Sequence, residues 1–264
     1  MKLAVLGPEN SYCHIASKAV KADIVLCSSI EEIYRAVKEG KAEKGLAPIE
    51  NMLHGSVRES FAALLKHKLF IQKAYNLPIH HCLASQTKDY GIIASHPQAL
   101  AQCSKLLGKM KDKAIMETPS TSKAMELAAQ DTSYAAIGAE VAARANKLKI
   151  LKRNVEDNHD NMTRFILIAK KQSKTNKRAR TSMMLGPKKD RTGLLHDLLE
   201  TFAKRKINLV KIESFPSGKK MDEFNFYLAI DGNQTNKDVR AALTEIKKVA
   251  KVRVFGSYEV VNLE

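Results

Sequence analysis

Across the first 169 residues, short apolar runs take turns with stretches of helical spacing, and this alternation restricts the fold more than any other feature. Residues 2–6, 23–27, 44–48, 91–94, 114–117 and 134–137 read as strands, while 11–20, 29–37, 57–66, 97–107, 123–130 and 139–146 read as helices. Local signals agree with this reading. Ser29 suits an N-cap, Glu31 and Glu32 follow in a first turn where the helix dipole favours acids, and Gly40 suits the stop. Pro97 fits a first helical position, and Ser120 or Thr121 caps the helix after it. Repeated strand–helix units predict an α/β fold with mostly parallel sheets, as one doubly wound sheet or as two smaller lobes. Ligands in such sheets bind beyond the carboxyl ends of the strands.

The pattern stops at residues 170–180. Lys170, Lys171, Lys174, Lys177, Arg178 and Arg180 fall there with no acid between them, a large part of a net charge of +16 for 264 residues. A like-charge block among Gln172, Ser173, Thr175 and Asn176 reads as a solvated linker and a domain boundary. Beyond it the order becomes strand, helix, strand, strand, helix, strand, over 181–185, 193–204, 207–214, 223–230, 237–249 and 252–261. That βαββαβ order is a split, ferredoxin-like unit. The chain therefore divides into two or three units, each long enough to bury a core.

Several function classes fall away. No aromatic-interleaved recognition motif accompanies the basic block, so no nucleic-acid partner is expected. No run approaches the ~20 apolar residues of a membrane span, and residues 1–7 are too short for a secretory hydrophobic region, so a cytoplasmic protein is expected. Cys13, Cys27, Cys82 and Cys103 are widely spaced, which argues against a zinc site or a disulfide framework. His-Glu-x-x-His, Gly-x-Ser-x-Gly and Gly-x-Gly-x-x-Gly are all missing, so metal hydrolysis, triad chemistry and a nicotinamide cofactor are not expected.

The candidate chemistry gathers in loops at strand ends. Asn161-Met162-Thr163-Arg164-Phe165 puts an amide, a hydroxyl and a guanidinium at the mouth of an apolar strand. The planar fork of an arginine matches a carboxylate, although a solvated arginine at a strand start fits the same pattern. Glu50 and Asn51, with His54 close behind, follow the third strand; Asn51 suits a ligand oxygen, and Glu50 either a ligand or the amides of its own loop. Ser11 begins a helix after Gly7-Pro8-Glu9, and Ser120 and Thr121 stand before another. Such hydroxyls cap helices and also bind anions at helix starts. His96-Pro97-Gln98 repeats the device, and convergent polar loops are what a cleft requires.

These blocks resemble the prephenate dehydratases. Gly7-Pro8-Glu9, Pro48-Ile49-Glu50-Asn51 with Gly55 and Val57, His96-Pro97-Gln98-Ala99-Leu100, Ser120-Thr121, Ala135-Ala136-Ile137-Gly138 and Asn161-x-Thr163-Arg164-Phe165 occur in that family's order. The second domain resembles an ACT regulatory module through Gly193-Leu194-Leu195 and residues 207–216. The resemblance implies a two-lobed α/β catalytic domain like a type II periplasmic binding protein, over residues 1–170. Lobe one would hold about 1–78 and 156–170, and lobe two about 79–155. A linker at 171–180 and a ferredoxin-like ACT domain at 181–264 would complete the chain.

The implied reaction turns prephenate into phenylpyruvate, water and carbon dioxide in L-phenylalanine biosynthesis, with neither cofactor nor metal. By the same resemblance Thr163 is catalytic, and Asn51, Glu50, Ser11, Ser120, Thr121, Asn161, Arg164 and Phe165 form the substrate site. L-phenylalanine is the implied effector, at Gly193, Leu194, Leu195, Glu213, Ser214, Phe215 and Pro216, in a homodimer or homotetramer joined through ACT domains. Met52 stands where the family has a serine, and Phe215 where it has an arginine. Arogenate dehydratase and a non-catalytic amino-acid-sensing protein are the rival expectations.

Overall fold

The computed structural model describes residues 1–173, 179–189, 191–218, 221 and 223–263. Part of the predicted linker, residues 174–178, lies outside the described residues. The chain divides into two units, one of Met1–Ala63, Tyr75–Phe165 and the residues from Asn262 on, the other of Leu64–Ala74 and Ile166–Val261. Among the described residues no helix is long and apolar enough to cross a membrane.

The first unit begins with β1 (Lys2–Leu6), α1 (Tyr12–Ser17), β2 (Asp23–Cys27), α2 (Ile30–Glu39), β3 (Lys44–Asn51), the short β4 (Gly55–Ser56) and α3 (Arg58–His67). β1 pairs in parallel with both β2 and β3. Its Leu3, Ala4 and Val5 are all fully buried, as a strand covered on both faces requires. Ser29 Oγ accepts the Glu32 amide at 3.2 Å, and Gly40 closes α2 in the left-handed conformation, φ 85°. Ser11 caps α1 in the same manner, its Oγ 3.3 Å from the His14 amide. The predicted helix 11–20 is shorter than its apolar spacing suggested, ending at Ser17.

The strand β5 (Phe70–Pro78) leads on to β6 (Cys82–Ser85), β7 (Ile92–Ser95), α4 (Pro97–Gln102), α5 (Ser104–Leu107), β8 (Ala114–Glu117), α6 (Thr121–Gln130), β9 (Tyr134–Gly138), α7 (Glu140–Ala145) and β10 (Lys149–Arg153). These build a second, five-stranded sheet ordered β10-β6-β9-β7-β8. β7 runs parallel to β8 and β9, whereas β6 runs antiparallel to β9 and β10, so the sheet is mixed rather than mostly parallel. The returning strand β11 (Met162–Ala169) lies beside β3 in the first sheet.

Two expectations are corrected here. The helix predicted over 97–107 breaks at Cys103, whose φ −116° and ψ 29° are not helical, giving α4 and α5. The strands β5, β6 and β10 had no counterpart in the sequence reading. β10 sits at a sheet edge with three of its five residues charged, and β5 interleaves Gln72, Lys73 and Asn76 with its apolar residues, so neither carries a clean alternation.

The second unit contains β12 (Arg180–Pro187), α8 (Leu194–Ala203), β13 (Leu209–Pro216), β14 (Phe224–Asp231), α9 (Lys237–Val249) and most of β15 (Ala250–Asn262). Its strands follow the order β13-β14-β12-β15, with antiparallel pairing of β12 to β14 and β15 and of β13 to β14. Leu185, Leu198, Phe202, Leu228, Ile230 and Ile246 form the core between this sheet and its two helices.

β15 bulges opposite Ser182 and Met183, where Gly256 has φ 139°. A side chain at Gly256 would place its Cβ 2.6 Å from the carbonyl oxygen of Ile71. Both the dihedral and the contact forbid one, so Gly256→Ala should cost about 2–3 kcal/mol. Urea denaturation of the two proteins measures that difference directly.

Candidate active site

A cavity of about 350 Å³ opens within the first unit, at the carboxyl ends of strands from both of its sheets. Separate stretches of the chain reach it. Gly7, Pro8 and Ser11 come from the β1–α1 turn, and Pro48 and Asn51 from the end of β3. Thr163 and Phe165 come from β11. Gln98 and Gln102 on α4, and Pro119, Ser120 and Thr121 before and at the start of α6, close the other side. Ser120 caps α6 through its Oγ, 3.0 Å from the Lys123 amide, which leaves its O–H proton for another acceptor. Gly138 of β9 faces Thr121 so closely that a Cβ there would lie 3.0 Å from the threonine Cβ. The missing side chain is what lets α6 bring its first turn onto the sheet.

Asn51 organises the centre of this site. Its Oδ1 accepts the amides of Leu53 and His54, both at 3.1 Å, so the opposite end of the group must be the NH₂. Nδ2 donates to Thr163 Oγ1 at 2.9 Å and to Asn161 Oδ1 at 3.0 Å, with the Met162 carbonyl at 3.3 Å. An NH₂ group cannot accept a hydrogen bond, so Thr163 keeps its own proton. No acceptor takes that proton among the described residues, and Thr163 faces the cavity. The site thus presents a hydroxyl whose lone pair is held and whose O–H points to whatever enters.

Six of the predicted site residues, Thr163, Asn51, Ser11, Ser120, Thr121 and Phe165, line the cavity together. Asn161, Arg164 and Glu50 do not. Asn161 is buried behind Asn51, with its Nδ2 lacking a partner among the described residues. Side chains alternate along a strand, so with Thr163 and Phe165 toward the cavity Arg164 turns to the other face. Its Nη1 lies 3.2 Å from Glu50 Oε2 and its Nε donates to Asn76 Oδ1 at 2.8 Å. Of the two roles expected for Arg164, anion binding or fixing its loop, these contacts support the second. Among the described residues no lysine or arginine lines the cavity, and its polar surface comes from hydroxyls, amides and imidazoles.

The sequence reading did not single out Gln102, His81 or Tyr12. Gln98 and Gln102 are four residues apart and share one face of α4, a spacing that could have flagged the second once the first was noted. His54 Nδ1 stands 3.0 Å from Asn51 Oδ1, 3.0 Å from Gln98 Nε2 and 3.3 Å from Gln102 Nε2, so it ties the β3 loop to α4. Gln102 Oε1 is 2.9 Å from His81 Nε2, and His81 Nδ1 is 2.8 Å from the Tyr12 hydroxyl. Burial pushes the His81 pKa down, against opposing effects of Gln102 and Glu156, which favours a neutral ring.

Glu156 supports this group from below, accepting the His81 amide at 2.8 Å and facing His80 Nδ1 at 2.8 Å and His159 Nδ1 at 3.2 Å. Burial alone would raise its pKa, but the hydrogen bonds outweigh it and hold the carboxyl below its ordinary range. A carboxyl depressed in the folded state adds stability above its unfolded pKa of about 4.3 and loses it as pH falls through the folded value. Denaturation midpoints should therefore fall more steeply for the native protein than for Glu156→Gln between about pH 5 and about pH 3.

In the second unit, Gly193 has φ 77° and precedes α8. Leu194 packs into the core, so only its backbone is open to a ligand, whereas Leu195 is exposed. Glu213, Ser214, Phe215 and Pro216 are the last four residues of β13, paired with Tyr227 to Phe224 of β14.

Fold and site together define a two-lobed α/β domain with a polar cleft, joined to a split βαββαβ module. The prephenate dehydratase family profile matches residues 3–173 and the ACT domain profile residues 189–249. A bifunctional chorismate mutase/prephenate dehydratase of Aquifex aeolicus is 36% identical over 266 residues, 98% of this chain and 73% of that one. A prephenate dehydratase of Methanocaldococcus jannaschii is 35% identical over 265 residues, 94% of this chain and 96% of that one. The crystal structure of prephenate dehydratase from Arthrobacter aurescens in complex with L-Phe aligns with a TM-score of 0.89 at 28% identity, over 98% of this chain and 90% of that one. The chain belongs to the prephenate dehydratase family, with a C-terminal ACT domain.

Proposed function

We propose that this chain is a prephenate dehydratase, converting prephenate to phenylpyruvate, water and carbon dioxide for L-phenylalanine biosynthesis. The observation that carries the reading is Thr163, its oxygen held by Asn51 and its proton unclaimed at the cavity wall. The substrate is a cyclohexadiene with a carboxylate and a hydroxyl at opposite ring carbons. Breaking the carbon–carboxylate bond leaves an electron pair that enters the ring as carbon dioxide departs. The ring becomes aromatic as the hydroxyl leaves with its own bonding pair, so the sum is redox-neutral. Hydroxide is a poor leaving group, and a hydrogen bond donated to it in the transition state is where an enzyme helps most.

In this reading Thr163 donates to the departing oxygen. Asn51 is a positioning residue, because its amide is fully engaged by Thr163, Asn161 and the loop. Ser120 and Thr121 donate to the carboxylates, aided by the positive end of α6, and Ser11 joins them by giving up its long 3.4 Å bond to the Leu6 carbonyl. Phe165 gives the ring an apolar wall. Neutral donors rather than a cation then hold the dianion. This suits decarboxylation, since a carboxylate locked in an ion pair resists leaving as neutral carbon dioxide.

The partition that goes with this function is a catalytic domain over 1–170 and a regulatory domain over 181–264. L-phenylalanine is the effector, bound near Gly193 and Glu213–Pro216, and the working form is a cytoplasmic homodimer or homotetramer joined through the ACT domains. The binding of L-Phe by the Arthrobacter aurescens protein supports the choice of effector. Purified protein incubated separately with prephenate and with arogenate tests the catalytic reading. Phenylpyruvate from prephenate is expected. Phenylalanine from arogenate alone would mark an arogenate dehydratase, and no product from either would leave an amino-acid sensor.

A further inference from the structure

His81 and Gln102 both line the cavity, and both are buried. Gln102 is engaged at each end of its amide. Its Oε1 lies 2.9 Å from His81 Nε2, and its Nε2 lies 3.3 Å from His54 Nδ1. That NH₂ group has two N–H bonds and, among the described residues, one acceptor. One N–H therefore remains for a ligand.

The two ends of an amide have the same shape and opposite polarity, so packing does not choose between them. The ring proton of His81 does. With the proton on Nε2, the ring donates to Gln102 Oε1, and its bare Nδ1 accepts from the Tyr12 hydroxyl at 2.8 Å. The glutamine NH₂ then faces His54. With the proton on Nδ1, the ring donates to the Tyr12 oxygen, and Tyr12 turns its own proton to the His80 carbonyl, 2.7 Å away. His81 Nε2 is now bare, so Gln102 must turn its NH₂ toward it and its oxygen toward His54. His54 Nδ1 completes this second arrangement by carrying a proton, which Asn51 Oδ1 at 3.0 Å also accepts. Gln98, whose Nε2 is 3.0 Å from the same nitrogen, turns with it. A neutral His81 serves in both arrangements.

The exchange reverses two cavity-lining amides at once, from NH₂ groups to carbonyl oxygens on the side of His54. Among the described residues no lysine or arginine lines the cavity to offset those oxygens. A dianion is held by the first arrangement and repelled by the second.

We propose that His81 is a positioning residue for substrate binding, which through Gln102 keeps the donor ends of both glutamines, and not their oxygens, turned to the dianion. The inference rests on the reading of the cavity as a prephenate site. The anion selects the form of His81 protonated on Nε2, because it binds that arrangement better.

The test uses the full-length protein, with kcat and KM for prephenate measured on each variant. His81→Leu removes the donor to Gln102 and should raise KM at least about tenfold, with kcat changed less. A glutamine side chain sets an NH₂ near the place of Nε2, so His81→Gln should restore most of the loss. His81→Asn reaches only the place of Nδ1; it should behave as the leucine variant, and it serves if that one does not fold. In a Gln102→Ala background the same substitutions should add less than about twofold to KM, since no amide is left to orient. A merely structural histidine would cost the same in both backgrounds. Nitrogen NMR of the His81 ring should find the proton on Nε2 in native protein saturated with phenylpyruvate. Native KM in His81→Leu, an equal rise in both backgrounds, or a ring proton on Nδ1 in the bound protein would overturn the proposal while leaving the catalytic reading intact. A native protein that does not turn over prephenate would overturn both.

Discussion

Thr163→Ala is expected to lower kcat for prephenate by at least ~10²–10³, with KM changed far less. The substitution removes the cavity hydroxyl that Asn51 holds by its lone pair and whose proton has no acceptor among the described residues, while Ser11, Ser120 and Thr121 still hold the substrate. The fold should survive. Thr163 is only half-buried, and its loss leaves Asn51 Nδ2 with Asn161 Oδ1 and the Met162 carbonyl. Thr163→Ser keeps the hydroxyl but frees its rotation, and should fall between the two. Steady-state kinetics at matched circular dichroism would check the series, and a Thr163→Ala enzyme at native rate would refute the assignment.

Asn51 carries the second large effect, and its two ends separate stability from catalysis. Asn51→Ala leaves the buried Asn161 Oδ1 without its donor, at about 1–3 kcal/mol, and takes the acceptor from the amides of the exposed residues Leu53 and His54, which loosens the loop. It also frees Thr163, so turnover should fall by an amount similar to that of Thr163→Ala, the two acting as one unit. Asn51→Asp keeps an oxygen for the loop amides but turns the other oxygen toward Thr163 Oγ1. The threonine proton would then go to this carboxylate and be lost to the substrate. The aspartate variant should thus retain more stability than the alanine variant and no more activity. Melting curves and kcat measured side by side test the split, and an active Asn51→Asp would show that the Thr163 proton is not the catalytic one.

Arg164 had two readings in the sequence, anion binding or fixing its loop, and local order could not choose between them. Arginine beside a threonine at a strand mouth is good chemistry for a carboxylate. The period of a strand nonetheless makes neighbours 163 and 164 face opposite ways. Only one of them can look into a given cavity, and the sequence does not say which face of β11 has the cavity. Gln102 shows the opposite failure. Glutamine on a helix is ordinary, and nothing local marks it until α4 is seen to end beside His81 and His54. The break at Cys103 is of the same kind, because residues 97–107 keep an apolar helical spacing through the point where the backbone leaves the helix.

Ser29, Gly40, Ser11 and Ser120 were legible because a cap is a contract between residues three or four apart, and the chain supplies both parties in order. The same holds for the βαββαβ order, written in the succession of periods. Local residue order by itself therefore determined which segments are helix or strand, where several begin and stop, and which family the blocks match. The tertiary structure alone decided which side of each strand meets the cavity and which distant amides hold the threonine. Those partners, such as residues 51 and 163, are separated by more than a hundred positions. No short-range pattern encodes their encounter; it arises only when β11 returns to lie beside β3 in one sheet.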